Sequence, residues 1–330
     1  MKLKTLGKTG LQVSQLGLGG LFVSRIGGEF EASKAAVHRA VERGINYVDT
    51  APTYANSEEV LGQIIKDVSS PLIVSTKLGG RPQPFDPQNR DCLQHSFEES
   101  LRLLHRKHID ILMVHEPDRS NQYNWWSDLD HFTGPVLDFL AGLKKSGLIS
   151  HIGIGGTTAY ELPRIIETGR FDVVLTAFNY SLLWREAELE VLPLAKKHNM
   201  GIVIGSPLQQ GALARRYDAE VSDGAPWLNL PRRRQFKALY AFLDEIKIPL
   251  PELAMRFVIS NPDISTVLSG ARSAAEVDAN VAAIERGPLP KDVLERLDKI
   301  AGMVPFRPFE EPFGLPFHSK THHRVGGAGR

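Results

Sequence analysis

Four polar side chains with complementary proton chemistry stand at or just after short apolar runs of this sequence. Asp49 ends the run 46–48, Tyr54 follows it on a loop, and Lys77 and His115 close two later runs. A phenol has a reference pKa of about 10, but an ammonium within about 4–6 Å favours the phenolate. If Lys77 is that ammonium, Asp49 keeps it charged and oriented, while a neutral His115 hydrogen-bonds a substrate oxygen. These residue types predict a proton relay for a carbonyl or carbinol oxygen.

Each of these residues also has a structural interpretation. A lone Lys or His at a strand end is more often solvated or hydrogen-bonded within the fold, and a Tyr on a loop usually packs. Four such residues gain a joint meaning only if the fold brings them together. The residues alone leave the catalytic and the structural interpretation open, so the elements that carry them have to decide.

Apolar runs bounded by turn residues alternate along the chain with amphipathic stretches. The runs cover residues 15–18, 46–48, 72–75, 109–114, 151–154, 173–176, 201–204 and 265–268. The amphipathic stretches cover residues 33–43, 57–66, 90–104, 136–146, 160–168, 185–198, 232–245 and 274–284. Continuous apolar strands alternating with helices indicate a parallel sheet of the α/β class, and eight such units close a (β/α)8 TIM barrel. Barrel chemistry lies at the carboxyl ends of the strands, which is where the four polar residues stand.

A doubly wound open sheet is the rival fold. It usually carries a GxGxxG phosphate loop after its first strand, and residues 16–20, LGLGG, lack that spacing. Residues 3–6 and 11–13, joined by the turn 7–10, read as an N-terminal β-hairpin that closes the barrel floor. We therefore expect one barrel domain over residues 1–317, including a C-terminal extension, and a disordered tail over 318–330.

Composition excludes several function classes. The 330-residue chain has a net charge of +1 with 42% hydrophobic and 23% charged residues, which is typical of a globular protein and gives no support for nucleic-acid binding. Its single cysteine, Cys92, excludes an internal disulfide framework and favours the reducing cytoplasm. No signal peptide, membrane span or metal site is expected. The arginines of 231–234 are interpreted as a solvated helix start.

Five segments, in order along the chain, resemble the aldo-keto reductase superfamily. They are GINYVDTAPTYANSEEVLG (44–62), STKLG (75–79), IDILMVHEPD (109–118), SPLQQGAL (206–213) and GARSAAEVDANVAA (270–283). The resemblance covers roughly residues 3–304 and implies a barrel that binds NAD or NADP without a separate nucleotide-binding domain. It also implies a catalytic tetrad in which Tyr54 is the general acid of reduction and the general base of oxidation. The tetrad comprises Asp49, Tyr54, Lys77 and His115.

The same resemblance implies where the cofactor lies. The loop after the seventh barrel strand would contact its pyrophosphate, and the segment after the eighth would hold its adenosine phosphate end. Many relatives have Ser-Asn after the fifth strand and an aromatic residue beside the nicotinamide, whereas this sequence has Gly155-Gly156 and Gly205. The expected cofactor-binding residues are Thr157, Asn179, Ser206, Leu208, Gly270, Arg272, Glu276 and Asn280.

One position bears on the choice between NAD and NADP. Many NADP-preferring relatives have an arginine four residues before the asparagine of the last motif, where this chain has Glu276 before Asn280. A carboxylate repels a 2′-phosphate and accepts hydrogen bonds from a 2′-hydroxyl. We expect NAD, or both cofactors, to be used.

The loop 116–135 offers candidate substrate residues. Trp125 and Trp126 could form an aromatic platform for a sugar, with Glu116 bonding its hydroxyls, or the rings could only pack the loop onto the barrel. The chain looks most similar to the L-galactose, L-fucose and D-threo-aldose 1-dehydrogenase branch, which implies oxidation of an aldose at C1 to a lactone. An NADPH-dependent aldehyde or ketone reductase and a cofactor-sensing regulatory subunit are the alternatives.

The C-terminal segment 304–317 repeats Pro and Phe too often for a regular helix. Its phenylalanines should lie against apolar surface, either on this barrel or on another subunit, so the oligomeric state stays open. A small sugar or aldehyde is the expected partner, with no nucleic acid and no membrane.

Overall fold

The computed structural model describes residues 1–119, 122–308 and 311. The predicted domain end at 317 and the tail 318–330 lie outside these residues. The strands are β1 Leu3–Thr5, β2 Gln12–Ser14, β3 Leu16–Gly19, β4 Tyr47–Asp49, β5 Ile73–Leu78, β6 Ile109–His115, β7 Ile149–Gly156, β8 Val173–Ala177, β9 Gly201–Gly205 and β10 Thr266–Ser269. The α-helices are α1 Phe30–Glu42, α2 Ser57–Ile65, α3 Arg90–Leu103, α4 Pro135–Lys145, α5 Leu162–Glu167, α6 Val191–Lys197, α7 Asp218–Asp223, α8 Leu230–Ile246, α9 Leu250–Ser260, α10 Ala274–Glu285 and α11 Lys291–Ala301.

Strands β3 to β10 form a closed, wholly parallel barrel, which confirms the predicted fold. Their order around the barrel follows the chain, and β10 pairs with β3 to close it. The strands are apolar on both faces because helices cover one face and side chains fill the interior. In the β6–β7 ladder His115 stands opposite Gly155, so the carboxyl ends of neighbouring strands meet at one rim.

The predicted N-terminal hairpin is present and closes the barrel floor. Strands β1 and β2 pair antiparallel, and Leu6 and Val13 are fully buried in the cluster that fills the barrel interior. The turn requires glycine at Gly7, which has φ +50°, because a Cβ there would lie 2.3 Å from the Gly201 nitrogen. The chemistry is therefore confined to the opposite rim.

Three α-helices, α7, α9 and α11, are absent from the predicted amphipathic stretches. The stretch 232–245 lies within α8, but α9 follows it before β10 and was not predicted. Eight of the eleven residues of α9 are buried, and it was missed because the expected pattern places one helix between two barrel strands, a position that the stretch 232–245 already took. Helix α11 was also missed, because it follows the last barrel unit. In the described part of the chain, no helix has the length and hydropathy needed to cross a bilayer.

The interpretation of 231–234 as a solvated helix start is wrong for Arg232. Its side chain is 1% exposed and bonds the carboxylate of Glu311, itself fully buried, at 2.9 Å. The indole of Trp184 and the guanidinium of Arg307 also donate to Glu311. We call Trp184, Arg232, Arg307 and Glu311 the C-terminal anchor, since they hold the described part of the extension against the chain's own barrel.

Candidate active site

Lys77 brings the predicted tetrad together at the carboxyl rim. It points from β5 into the barrel with 1% of its side chain exposed. Its ammonium donates to Asp49 Oδ2 and to the Thr50 carbonyl, each at 2.7 Å. The same nitrogen lies 4.8 Å from the centre of the Tyr54 ring. Adjacent parallel strands place Lys77 and Asp49 side by side, because β4 and β5 pair in register up to Asp49.

Tyr54 and His115 complete the group. Tyr54 sits in a turn before α2, where its N–H donates to Ala51 and its carbonyl accepts from Ser57. Its ring meets the His115 ring edge to face, with 5.9 Å between centroids. The four side chains thus come from two strand ends, one loop and the end of β6, as expected from the sequence.

The electrostatics of Lys77 are set by its partners. Burial alone lowers the pKa of the ammonium, but the charge of Asp49, with Tyr54 beside it, outweighs burial and raises that pKa. Lys77 is therefore a fixed cation deep in the barrel. Its charge faces the position that the phenol of Tyr54 occupies.

Tyr54 departs from the expected shift. Burial is the largest influence on the phenol and raises its pKa; Lys77 lowers it, but by less. The side chain of Tyr54 is half-buried at the rim. Because its pKa lies above the usual value of about 10, the phenol stays protonated at neutral pH. Burial, with the charges of Lys77 and Arg119, holds the pKa of His115 well below its usual range, and the imidazole is neutral. The site therefore holds one cation, one carboxylate and two neutral proton-bearing rings.

Asp118 organises the loop after β7 and was not among the predicted site residues. Its Oδ2 accepts from the N–H groups of Thr157 at 2.8 Å and Thr158 at 2.6 Å. Asn179 then donates from Nδ2 to the Thr157 carbonyl at 2.8 Å. A Cβ at Gly156 would lie 3.0 Å from Asp118 Oδ2 and 2.7 Å from Leu162, which explains a glycine there. The sequence signal was a carboxylate three residues beyond the end of β6.

Three residues that directly follow barrel strands have left-handed backbones. They are Glu116 after β6, Phe178 after β8 and Ser206 after β9, with φ between +49° and +68°. Residues other than glycine rarely adopt this conformation, which clusters at functional sites. In each case the chain turns sharply at the rim, so the loop backbone stays close to the barrel mouth.

The predicted cofactor residues after β10 lie around the start of α10. Glu276 Oε2 accepts from the Arg272 N–H at 2.8 Å, and Ser273 Oγ accepts from the Glu276 N–H at 3.2 Å. This is a capping-box arrangement in which Glu276 bonds the N–H of Arg272, the residue before the N-cap, instead of the N–H of the N-cap Ser273 itself. The exposed Arg272 guanidinium lies 4.4 Å from the centre of the Phe22 ring, and Asn280 donates to Ser269 at 3.0 Å.

Gly270 and the loop after β9 complete that side of the rim. A Cβ at Gly270 would lie 2.3 Å from the Phe22 ring, so only glycine fits there. Ser206 and Leu208 are half-buried in the loop that follows β9, where Gln209 and Gln210 also have left-handed backbones. The predicted cofactor residues after β9 and β10 thus follow adjacent strands, because these two strands pair.

The predicted substrate residues are placed differently from one another. Trp125 and Trp126 are 1% and 4% exposed, and their indoles donate to the carbonyls of His115 and Pro117. This burial favours the packing interpretation, because neither ring offers a face to solvent. Glu116 is half-buried at the rim and paired with Arg119, and burial raises the pKa of its carboxyl group.

A cavity of about 350 Å³ opens at the rim beside these residues. We call it the side cavity; among the described residues, no group of three or more His, Cys, Asp or Glu side chains there or elsewhere is arranged to hold a metal. Of its nine lining residues only Thr157 and Asn179 were predicted as site residues, because tertiary contacts bring the other seven to the rim. The cavity is lined by Arg119, Thr157, Thr158, Ala159, Tyr160, Phe178, Asn179, Glu186 and Arg307.

Comparison with known proteins agrees with this architecture. The sequence pattern of the aldo/keto reductase family matches residues 15–301. L-galactose dehydrogenase from Arabidopsis thaliana is 31% identical over 295 residues, which are 86% of this chain and 88% of that protein. A probable voltage-gated potassium channel subunit beta from the same plant is 28% identical over 93% of this chain and 99% of its own.

A solved structure gives the same result. The holo form of an aldo-keto reductase from Bacillus halodurans matches with a TM-score of 0.76 and 27% identity, over 94% of this chain and 100% of that one. The resemblance inferred from the five sequence segments is confirmed. The chain therefore belongs to the aldo/keto reductase family, whose members are oxidoreductases that use NAD(P)H.

Proposed function

We propose that this aldo/keto reductase oxidises an aldose at C1 to the corresponding lactone, with NAD(P)⁺ as the acceptor. The observation that carries the chemistry is the buried Lys77–Asp49 pair, whose ammonium faces the Tyr54 ring at 4.8 Å. The aldose assignment is supported by the 31% identity to L-galactose dehydrogenase. The tetrad residues and their roles are part of this proposal.

The residues after β9 and β10 suit a dinucleotide. Arg272 supplies an exposed guanidinium, and the start of α10 is a favourable place for a phosphate. Gly155 lies next to the tetrad, since a Cβ there would make an ordinary van der Waals contact with Lys77 Cε at 3.5 Å. We therefore infer that Arg272, Asn280 and the loop at Ser206 hold the cofactor.

Each tetrad residue has one task in this reaction. Tyr54 takes the proton of the anomeric hydroxyl at its phenol oxygen, and the adjacent Lys77 cation stabilises the phenolate required for that step. Asp49 keeps Lys77 charged and aimed, and neutral His115 hydrogen-bonds the substrate oxygen to orient it. A bound nicotinamide would supply the hydride acceptor, so that C1 loses a hydride and its hydroxyl loses a proton, which together leave a lactone.

The test is nicotinamide absorbance during incubation with a panel of free aldoses, each with NAD⁺ and NADP⁺. Reduction of the cofactor with sugars of one stereochemistry is the expected result. No reaction with any aldose, combined with oxidation of NAD(P)H by simple aldehydes, would contradict the proposal and move the function to carbonyl reduction.

Carbonyl reduction is the second candidate function, and the raised pKa of Tyr54 favours it. A phenol that remains protonated at neutral pH is already in the form that donates a proton to a carbonyl oxygen. The same tetrad then runs in the opposite direction, from aldehyde or ketone to alcohol.

A regulatory role is a third possibility, because of the similarity to a potassium channel subunit beta. Tyr54→Phe separates it from enzymatic function. Loss of turnover with retained cofactor binding is the enzymatic outcome, whereas unchanged cellular function of the variant would favour a cofactor-sensing subunit. We also propose a cytoplasmic location from the single cysteine, which cell fractionation can test.

A further inference from the structure

The side cavity adjoins the tetrad through the residues that line it. Thr157 lies two residues after Gly155, where a Cβ would lie 3.5 Å from Lys77 Cε, and Arg119 is paired with Glu116, the residue after His115. A ligand part that extends from the tetrad along this side of the rim would enter the cavity. Its volume of about 350 Å³ is at the small end of ligand pockets, which suits a small molecule.

Glu186 gives the side cavity an unpaired acceptor. Its Oε2 atom is buried and has no hydrogen-bond partner among the residues that the structure describes. Burial is the main influence on this carboxyl group and raises its pKa. Buried polar atoms are normally hydrogen-bonded, so this one is ready to bond a polar group of a ligand.

The charges in the side cavity favour a neutral ligand over an anion. The guanidinium of Arg119 is paired with Glu116, and that of Arg307 is paired with Glu311 of the C-terminal anchor at 3.0 Å. Glu186 adds a further acidic group. Because carboxylates offset the two cations, hydroxyl groups fit this lining better than a carboxylate or phosphate does.

An aromatic ring is available at the entrance. Tyr160 lines the side cavity and is 76% exposed, which leaves its ring face accessible. A sugar presents a C–H face that packs on an aromatic ring, and hydroxyls at its edge that need polar partners. The combination of an exposed ring and an unpaired buried acceptor therefore matches a sugar.

We propose that the side cavity is the subsite for the ring hydroxyls of a neutral sugar, with Glu186 as a specificity-determining acceptor and Tyr160 as the stacking surface. This inference rests on the proposed function, because it names the part of the protein that would recognise the aldose. The hydroxyls that Glu186 contacts are those remote from C1.

The test uses 1,5-anhydroalditols, which have a sugar ring and its hydroxyls but no anomeric hydroxyl to oxidise. Binding of each stereoisomer to the full chain with NADH or NADPH present is measured by ligand-observed NMR titration. We expect saturable binding to the wild type and a Kd raised about tenfold or more by Glu186→Met or Tyr160→Ala. Glu186→Gln, which keeps an acceptor, should retain most of the affinity.

Glu188→Met is the matched control, because Glu188 lies two residues further on and is exposed. Its Kd should equal that of the wild type. Equal Kd values for Glu186→Met and the wild type would overturn the inference, as would absence of binding by every anhydroalditol or tighter binding of a uronate.

The two proposals fail in different ways. If no aldose is oxidised but anhydroalditols bind in a Glu186-dependent manner, the proposed function fails and the subsite stands. If aldoses are oxidised and Glu186→Met changes neither their kcat/KM nor anhydroalditol binding, the subsite fails and the proposed function stands.

Discussion

Tyr54 is the residue on which the direction of the reaction depends. Two influences oppose each other at its hydroxyl: burial keeps the proton on, and the Lys77 cation favours its release. Burial has the larger effect, so the free site holds a neutral phenol next to a fixed positive charge. Reduction can start from this state directly, whereas oxidation must first form the phenolate.

The pH dependence should therefore differ between the two directions. Because the pKa of Tyr54 is raised, we expect kcat/KM for aldehyde reduction to stay level from about pH 6 to about pH 9 and to fall only above about pH 10. Over the same range kcat/KM for oxidation should rise, since the phenolate fraction grows with pH. Initial rates in both directions would check this.

His115 adds a second expectation for the pH profile. Its pKa is well below its usual range, so no acidic limb from this imidazole should appear near pH 6.5. A bell-shaped profile centred near neutrality in both directions would contradict the assignment of Tyr54 as the acid and base.

The Lys77–Asp49 pair should matter for stability as well as for turnover. With side chains 1% and 3% exposed, Lys77→Met leaves Asp49 as an uncompensated buried charge, a change that typically costs about 3–5 kcal/mol. We expect urea unfolding to show a loss of this size. Lys77→Met combined with Asp49→Asn should recover much of it, while both variants lack activity.

A purely additive result would contradict this account. If the double variant were less stable than Lys77→Met by the full cost of Asp49→Asn alone, the two residues would not interact energetically. Circular dichroism of each variant serves as the control that the barrel has formed.

At the residue scale, the sequence predicted the tetrad but not its surroundings. The tetrad could be found because the carboxyl end of a parallel strand is recognisable in the sequence, and barrel closure brings such ends together. Glu186 and Arg307 could not, since contacts with residues far along the chain bring them to the side cavity. Asp118 left only its position just beyond β6 as a signal, because its partners Thr157 and Thr158 belong to the loop after β7. The direction of the Tyr54 shift also needed the structure, because it depends on burial.

The start of α10 is the element that should decide cofactor choice. One carboxylate oxygen of Glu276 caps the helix, and we propose that the exposed charge of this residue opposes a 2′-phosphate. The capping role was not predicted, although the Ser273-to-Glu276 spacing is the signature of a capping box. Sequence reasoning therefore missed the structural role of this residue, and the electrostatic role stays a prediction.

Glu276→Arg should shift preference towards NADP. We expect the ratio of kcat/KM for NADP⁺ to that for NAD⁺ to rise about tenfold or more, which corresponds to about 1.4 kcal/mol. Loss of the capping box should lower the free energy of unfolding by about 1 kcal/mol. Steady-state kinetics with both cofactors and urea unfolding would measure the two effects.

Glu276→Gln is the matched control, because glutamine also completes a capping box but carries no charge. It should keep the stability of the wild type and shift the cofactor ratio less than the arginine does. An unchanged ratio in Glu276→Arg would mean that this position does not face the ribose.

Among the elements, the barrel strands were predictable and the extra helices were not. Each predicted run became one barrel strand, because a strand buried on both faces leaves a continuous apolar signal, as in β8. Helix α9 is as amphipathic as α3 and α4, which were predicted, so it was missed through the expected topology and not through a weak helical signal. The expected pattern of eight strand–helix units also contains no position for α9 or α11.

At the scale of the whole molecule, the C-terminal anchor joins the extension to the barrel. Arg232 at the start of α8 and Glu311 are both almost completely buried, and Arg307, which donates to Glu311, lines the side cavity. The proposed sugar subsite thus takes one wall from a segment outside the barrel units. The interpretation of 231–234 as solvated surface was wrong for Arg232, because its partner Glu311 lies 79 residues further along the chain and the local sequence does not reveal it.

Breaking the anchor should loosen that wall without opening the barrel. Glu311→Ala removes the carboxylate that Trp184, Arg232 and Arg307 share. The buried guanidinium of Arg232 then has an uncompensated charge, which is stabilised when the extension moves away and water reaches it. We expect amide hydrogen exchange in residues 304–307 to accelerate about tenfold or more, with little change in the urea midpoint of the barrel. Arg232→Met with Glu311→Ala should slow this exchange again.

Cooperative loss of the whole fold in Glu311→Ala would contradict this separation. Lys291→Ala is a suitable control, because its ion pair with Glu295 is at the surface and should leave both exchange and unfolding unchanged.

The hydrogen bond between Trp184 and Glu311 has a consequence for ageing of the enzyme. If the C-terminal anchor opens before the barrel unfolds, the tetrad and the proposed cofactor-binding residues stay in place. Mild heating should therefore reduce selectivity among sugars before it reduces turnover of simple aldehydes. The emission of Trp184 would change at that same step, because its indole loses a buried carboxylate neighbour. A partly damaged preparation would then be a less discriminating catalyst, and not simply a less concentrated one.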